Sequence, residues 1–94
     1  MKSIMQDEKE CYLCGSTEWL EEHHIFGGAN RKWSEKYGLK VYLCHYCHNE
    51  PPLGVHFNQE RNLYLKKAGQ LKFTRYYNKN DEEFRQVFGK NYLD

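Results

Sequence analysis

Leu39-Lys40-Val41-Tyr42-Leu43-Cys44-His45-Tyr46-Cys47-His48 decides how this chain is read. Its first five residues alternate apolar and polar, with aromatic and β-branched members, the pattern of a half-buried strand. That strand delivers Cys44 to a C-x2-C knuckle, and a helix is expected to begin near Cys47. A knuckle of the same shape lies upstream in Glu10-Cys11-Tyr12-Leu13-Cys14-Gly15-Ser16, with Gly15 where a tight turn wants a positive φ. Two C-x2-C pairs let four thiolates wrap one tetrahedral ion, so Cys11, Cys14, Cys44 and Cys47 read as ligands of a structural Zn²⁺. A disulfide framework, which has no preference for this spacing, is the alternative.

A chain of 94 residues makes one small domain. A core of that size seldom supplies more than about 3–5 kcal/mol without a staple. The four cysteines are the obvious staple. Residues 1–10 contain no apolar run that would serve as a secretory signal, and no later stretch is apolar enough to span a membrane. The expected setting is therefore a reducing cytoplasm, where thiols stay available for metal. A net charge of +1 requires any nucleic-acid surface to be local.

Along the chain, residues 1–10 are polar and aperiodic, a flexible lead-in to a single domain over 11–94. Within it, 11–58 should hold the knuckles, strands and first helix, and 59–94 the C-terminal helices. Glu18-Trp19-Leu20-Glu21-Glu22-His23-His24-Ile25-Phe26 is β-friendly and runs into Gly27-Gly28, a strand ending in a loop. Residues 29–36 read as a basic loop, either contacting a nucleic-acid backbone or solvated with Trp33 turned inward. Pro51-Pro52 interrupts any helix begun at Cys47. A helix is expected over 58–75, with Tyr64, Leu65, Ala68 and Leu71 as its apolar stripe beside Lys66, Lys67 and Lys72. Gly69 should weaken it by about 1 kcal/mol relative to Ala. Asn80 and Glu83 form a capping box for a last helix, with Phe84, Val87 and Phe88 on one face and Gly89 as terminator. The fold class is α+β.

The interleaving of the cysteine pairs with Leu20-Glu21-Glu22-His23-His24-Ile25-Phe26, Val41-Tyr42-Leu43-Cys44 and Cys47-His48-Asn49 resembles the HNH (ββα-metal, His-Me finger) endonuclease family over roughly residues 11–58. Phe88-Gly89-Lys90-Asn91-Tyr92-Leu93 resembles, more loosely, the end of small HNH proteins of phages and prophages. The resemblance implies a small zinc-stapled ββα-metal core with additional C-terminal helices. It also implies hydrolysis of DNA with one catalytic divalent cation (Mg²⁺, Mn²⁺, Ni²⁺ or Zn²⁺), leaving 5′-phosphate and 3′-hydroxyl ends. Double-stranded DNA is the implied partner, in a bacterial host cell or as a phage-encoded protein, with a homodimer or a phage assembly as further possibilities. Carried over by residue, His23 is a metal ligand, His24 the general base and His48 the second ligand. The chain departs from the family pattern twice. The motif's middle Asn falls on Leu39, leaving Asn30 or the backbone to steady the base. A further His, usual one turn after the helix His, falls on Pro52, leaving His56 as the candidate third ligand.

Each role meets a chemical need. Hydrolysis requires a deprotonated water in line with the leaving oxygen and a cation for the charge that develops. A neutral His24 serves as base if its other ring nitrogen donates to a backbone carbonyl or amide oxygen. Successive strand residues point to opposite faces, so His23 and His24 share one phosphate only if the strand twists or bulges near its end. On a regular strand one of them is merely packed. Plainer readings make His23 a zinc ligand, His24 a packed side chain bonded to main chain, His48 a helix cap and His45 an exposed residue or phosphate contact. Arg31, Lys32, Lys36 and Lys40 flank the histidines as phosphate contacts giving little sequence selectivity, or as a solvated basic face. The second functional class is a non-catalytic zinc-binding module that docks DNA or protein.

Overall fold

The two strand-like runs pair with each other: β1 (Leu20–His24) lies antiparallel to β2 (Lys40–Cys44), from Leu20 opposite Cys44 to His24 opposite Lys40. The computed structural model describes residues 1–93, so Asp94, the last residue of the expected domain, lies outside the described residues. Between the strands come a 3₁₀ turn (Gly28–Asn30) and α1 (Arg31–Tyr37); after them come α2 (His45–Asn49), α3 (Gln59–Tyr76) and α4 (Asp81–Phe88). This is a small α+β fold built on a two-stranded antiparallel sheet. Among the described residues no helix is long and apolar enough to cross a membrane.

Residues 1–10 form no regular element, yet they are tied to β2 and to the turn before it. Ser3 Oγ donates to the Lys40 carbonyl at 2.6 Å, and Tyr42 N–H donates to Gln6 Oε1 at 2.6 Å. Ile4 N–H reaches the Gly38 carbonyl at 2.9 Å.

The basic stretch expected as a loop is helical instead. Arg31, Lys32, Glu35 and Lys36 are good helix formers, Trp33 and Tyr37 pack against the core on one side, and Gly38 ends α1 in the left-handed region at φ 72°. Buried Ser34 fastens this helix to the chain leaving β1, because its Oγ accepts from Phe26 N–H at 3.0 Å and donates to the Phe26 carbonyl at 2.8 Å. Asn30 does not reach toward His24; its Nδ2 donates to the Phe88 carbonyl at 2.9 Å and joins α1 to α4.

On α3 the buried face is Leu65, Gly69, Gln70 and Phe73, while Tyr64 and Leu71 of the expected stripe are exposed. Gly69 explains the rotation: a Cβ there would stand 3.1 Å from Phe26 and 3.3 Å from Ile25, so α3 approaches the chain beyond β1 through its one bare position. Gln70 is buried because its amide is fully used, donating to Asp81 and Asn91 and accepting from Tyr92 N–H. The capping box at Asn80 and Glu83 forms as expected and points Phe84 and Phe88 into an aromatic layer with Phe26 and Phe73. Ring centroids there are 4.6 Å apart for Phe26–Phe88 and 5.4 Å for Phe73–Phe84, within the range where edge and offset contacts add to area burial.

Gly15 and Gly38 both adopt positive φ, but a Cβ on Gly38 would meet the Lys2 carbonyl at 2.5 Å, whereas one on Gly15 would meet nothing within 4 Å. Gly38→Ala should therefore lower the urea midpoint well beyond Gly15→Ala, by the equivalent of about 1–3 kcal/mol. Equal midpoints for the two variants would mean that the N-terminal segment adds nothing at this turn.

Candidate functional site

Antiparallel pairing places the two cysteine knuckles at one end of the sheet. Cys11 and Cys14 precede β1, Cys44 closes β2, and Cys47 lies one turn into α2. All four sulfurs lie within 4.8 Å of one another, with Cys14 and Cys44 at 3.6 Å, and none is in a disulfide. Backbone bonds shape the knuckles: Cys11 N–H to the Ser16 carbonyl, Gly15 N–H to Cys11, and His45 N–H to Trp19. Burial pushes the Cys11 thiol up, but amide donors from Cys44, Cys14 and Leu13 outweigh it and bring its pKa to about 7. Burial and the sulfurs of Cys44 and Cys11 push Cys47 to about 12. Four sulfurs crowded so closely that one resists ionisation suit a cation that neutralises them together, and a four-sulfur shell is that of structural zinc.

The strand period then sorts the acid and imidazole side chains. Glu21 and His23 project from one face of β1, Glu22 and His24 from the other. On the first face, His23 meets His48 of α2 and His56, with ring centroids 5.0 and 5.4 Å away. His48 Nε2 faces His56 Nε2 at 2.9 Å, and one ring nitrogen from each of the three lies within 4.8 Å of the others. His56 arrives because the loop after Pro51-Pro52 folds back on α2: Val55 N–H donates to Cys47 and His56 N–H to His48. Glu21 sets the orientation. It accepts from His48 Nδ1 at 2.8 Å, from Asn49 at 2.9 Å and from His45 Nδ1 at 3.2 Å, and these bonds, His48's first, lower its pKa. With Nδ1–H held by a carboxylate, His48 turns Nε2 outward, the arrangement that second-shell acids impose on metal-binding histidines. Burial, then the positive charge of His48, His56, His24 and Lys66, lowers His23 to about 3, so its ring is neutral as a ligand must be. Three imidazoles this close can hold a cation once their facing nitrogens carry no proton.

His24 does not join that trio. β1 stays regular through His24, so the expected twist or bulge is absent and the ring turns to the opposite face. Nor does its ring bond to main chain: Nε2 lies 2.9 Å from Glu35 Oε2 on α1. Nδ1 has no hydrogen-bond partner among the described residues and is not sealed from solvent. The two faces meet where β1 ends, because a groove of about 490 Å³ is lined by His23, His48 and His56 together with His24, Arg31 and Lys66. Gly27 and Gly28 also line it and put no side chains into it.

Of the four flanking cations, only Arg31 lines this groove. Lys32 lies over Trp33, and Lys36 lies beside Trp33 and Tyr37. Lys40, expected as a phosphate contact, is instead largely buried and paired with both oxygens of Glu35 at 3.0 Å. Its position opposite His24 on β2 puts it on the Glu22/His24 face, where two carboxylates compete for it. His45 bonds Glu21 and Glu50, and those bonds, Glu50's first, raise its pKa. The sequence reading missed Glu21, Glu35 and Lys66. Glu21 carried a signal, since a Glu two residues before a ligand His on a strand shares its face; Glu35 and Lys66 come from helices whose docking the local sequence does not encode.

No protein-family model matches this chain, and comparisons with curated proteins and with solved structures find no match either.

Structural zinc sites of this kind contribute on the order of 10–16 kcal/mol, against about 3–5 kcal/mol from a core of this size. Stripping metal under reducing conditions should abolish the cooperative thermal transition seen by circular dichroism, and Cys44→Ser should do the same. A metal-free chain that melts where the loaded one does would show that the sulfur cluster is no staple.

Proposed function

We propose that this chain is a metal-dependent endonuclease of the HNH type, in which β1, β2 and α2 act as the ββα-metal core and DNA phosphodiester bonds are hydrolysed. One observation carries the reading: three imidazoles come together in a groove that a fourth, that of His24, also lines. His23, His48 and His56 would hold the divalent ion, and a cation there stabilises charge on the scissile phosphate and on the departing 3′ oxygen. His24 Nδ1 takes a proton from the attacking water as its oxygen bonds to phosphorus. The P–O3′ bond breaks, the 3′ oxygen leaves with the bonding pair and is protonated from solvent, and the products are a 5′-phosphate and a 3′-hydroxyl. Arg31 from α1 and Lys66 from α3 bind neighbouring phosphates without reading bases, so the expected cleavage is a sequence-tolerant nick. A double-strand break then takes a second copy or a second encounter.

An all-imidazole ligand set favours Ni²⁺ or Zn²⁺ over Mg²⁺, whose affinity lies with oxygen donors. The other reading, a non-catalytic zinc module docking DNA or protein, is served by the four cysteines alone and leaves the His23, His48, His56 trio without a task.

Nicking of supercoiled plasmid with Ni²⁺, Mn²⁺ or Mg²⁺ tests the proposal. Wild type should nick, fastest with Ni²⁺; His24→Ala should lower the rate by about 10²–10⁴; and His56→Ala should raise the metal concentration needed for half-maximal activity. Nicking at the wild-type rate by His24→Ala would remove that residue from the reaction.

A further inference from the structure

We infer that Glu35 is the positioning residue for His24, fixing its ring as the Nε2–H tautomer so that Nδ1 is the basic nitrogen presented to the groove. The catalytic consequence rests on the nuclease reading above; the tautomer does not. The carboxylate oxygen of Glu35 lies 2.9 Å from Nε2, and a carboxylate at that distance can only accept. Nδ1, unpartnered and not sealed from solvent, is left to receive a proton.

The placement is rigid for a reason separate from the ion pair. Ser34, the preceding residue, grips both the N–H and the carbonyl of Phe26, two residues beyond His24. The helix bearing Glu35 and the strand bearing His24 are thus joined across a buried hydroxyl, while Ile25 N–H is held by the Leu39 carbonyl. An acid on α1 steadies the base where the chain has Leu39 in place of a side-chain amide.

Glu22, His24 and Glu35 also have ligand atoms within 4.8 Å of one another and invite a different reading, a further metal site. Lys40 argues against it. Its ammonium is 3.0 Å from both Glu35 oxygens and 3.8 Å from Glu22, so the cation this face requires is already built into β2. Lys40 thus balances the carboxylate and leaves one Glu35 lone pair for the imidazole.

The test uses the 94-residue chain loaded with Zn²⁺. Long-range ¹⁵N–¹H NMR of the neutral His24 ring should show a proton on Nε2 in wild type and a mixture of tautomers in Glu35→Ala. Glu35→Gln keeps an acceptor oxygen and should keep Nε2–H. In the nicking assay Glu35→Ala should lower kcat about ten- to a hundredfold, with KM for DNA and Ni²⁺ affinity unchanged, and Glu35→Gln should recover most of the loss. A wild-type ring protonated on Nδ1, a Glu35→Ala ring with unchanged tautomer, or loss of one bound metal in Glu35→Ala would overturn the assignment. If wild type nicks with no ion, the nuclease reading falls and the ring spectra alone decide the role of Glu35.

Discussion

Two five-residue strands bonded only to each other do not hold together in water. Here the pair is gripped at its ends. The sulfur cluster joins the entry to β1 with the exit from β2, and beyond the other end Ile25 and Phe26 plunge into the aromatic layer of α3 and α4. Everything placed on the strands inherits its position from these two grips. Because Cys47 lies within α2, the clamp that holds β2 also fixes the helix carrying His48, and the Cys47 and His48 carbonyls in turn anchor the return of the chain to His56.

Between the grips, the run Glu21-Glu22-His23-His24 is split by the strand into two acid–imidazole pairs facing opposite ways. One acid, Glu21, serves a histidine outside its own strand, turning His48 toward His23 and His56. On the other face, the acid that meets His24 comes from α1, and Glu22 remains at 4.0 Å. A four-residue sequence thereby supplies a cation-ready pocket and a separately oriented ring, which join only where the strand ends and the groove wraps around it.

The strands, the knuckles, the proline break and the capping box of α4 were legible because each depends on residues a few positions apart. The sulfur cluster was legible for the same reason, given two C-x2-C pairs. What sequence could not give was set by docking. The phase of α3 follows from where Gly69 lets Phe26 come close, not from the hydrophobicity of Tyr64 or Leu71. The helical state of residues 31–37 was signalled by Gly38, but the basic composition pointed to a solvent loop. His23 and His24 were expected to share one phosphate by a bend in the strand; the regular strand turns them to opposite faces, and the candidate ligand His56, eight residues past His48, reaches His23 and His48 through backbone pairing that the prolines did not specify.

The outer edge of β2 has a consequence for how copies of this chain meet. Ser3 takes the Lys40 carbonyl, Gln6 takes the Tyr42 N–H, and Tyr12 N–H takes the Tyr42 carbonyl at 2.8 Å. These are groups through which a neighbouring molecule would extend the sheet, and with them taken by residues 3–12 this edge is a poor template for such growth. Strand addition at the middle of β2 would first have to displace these contacts.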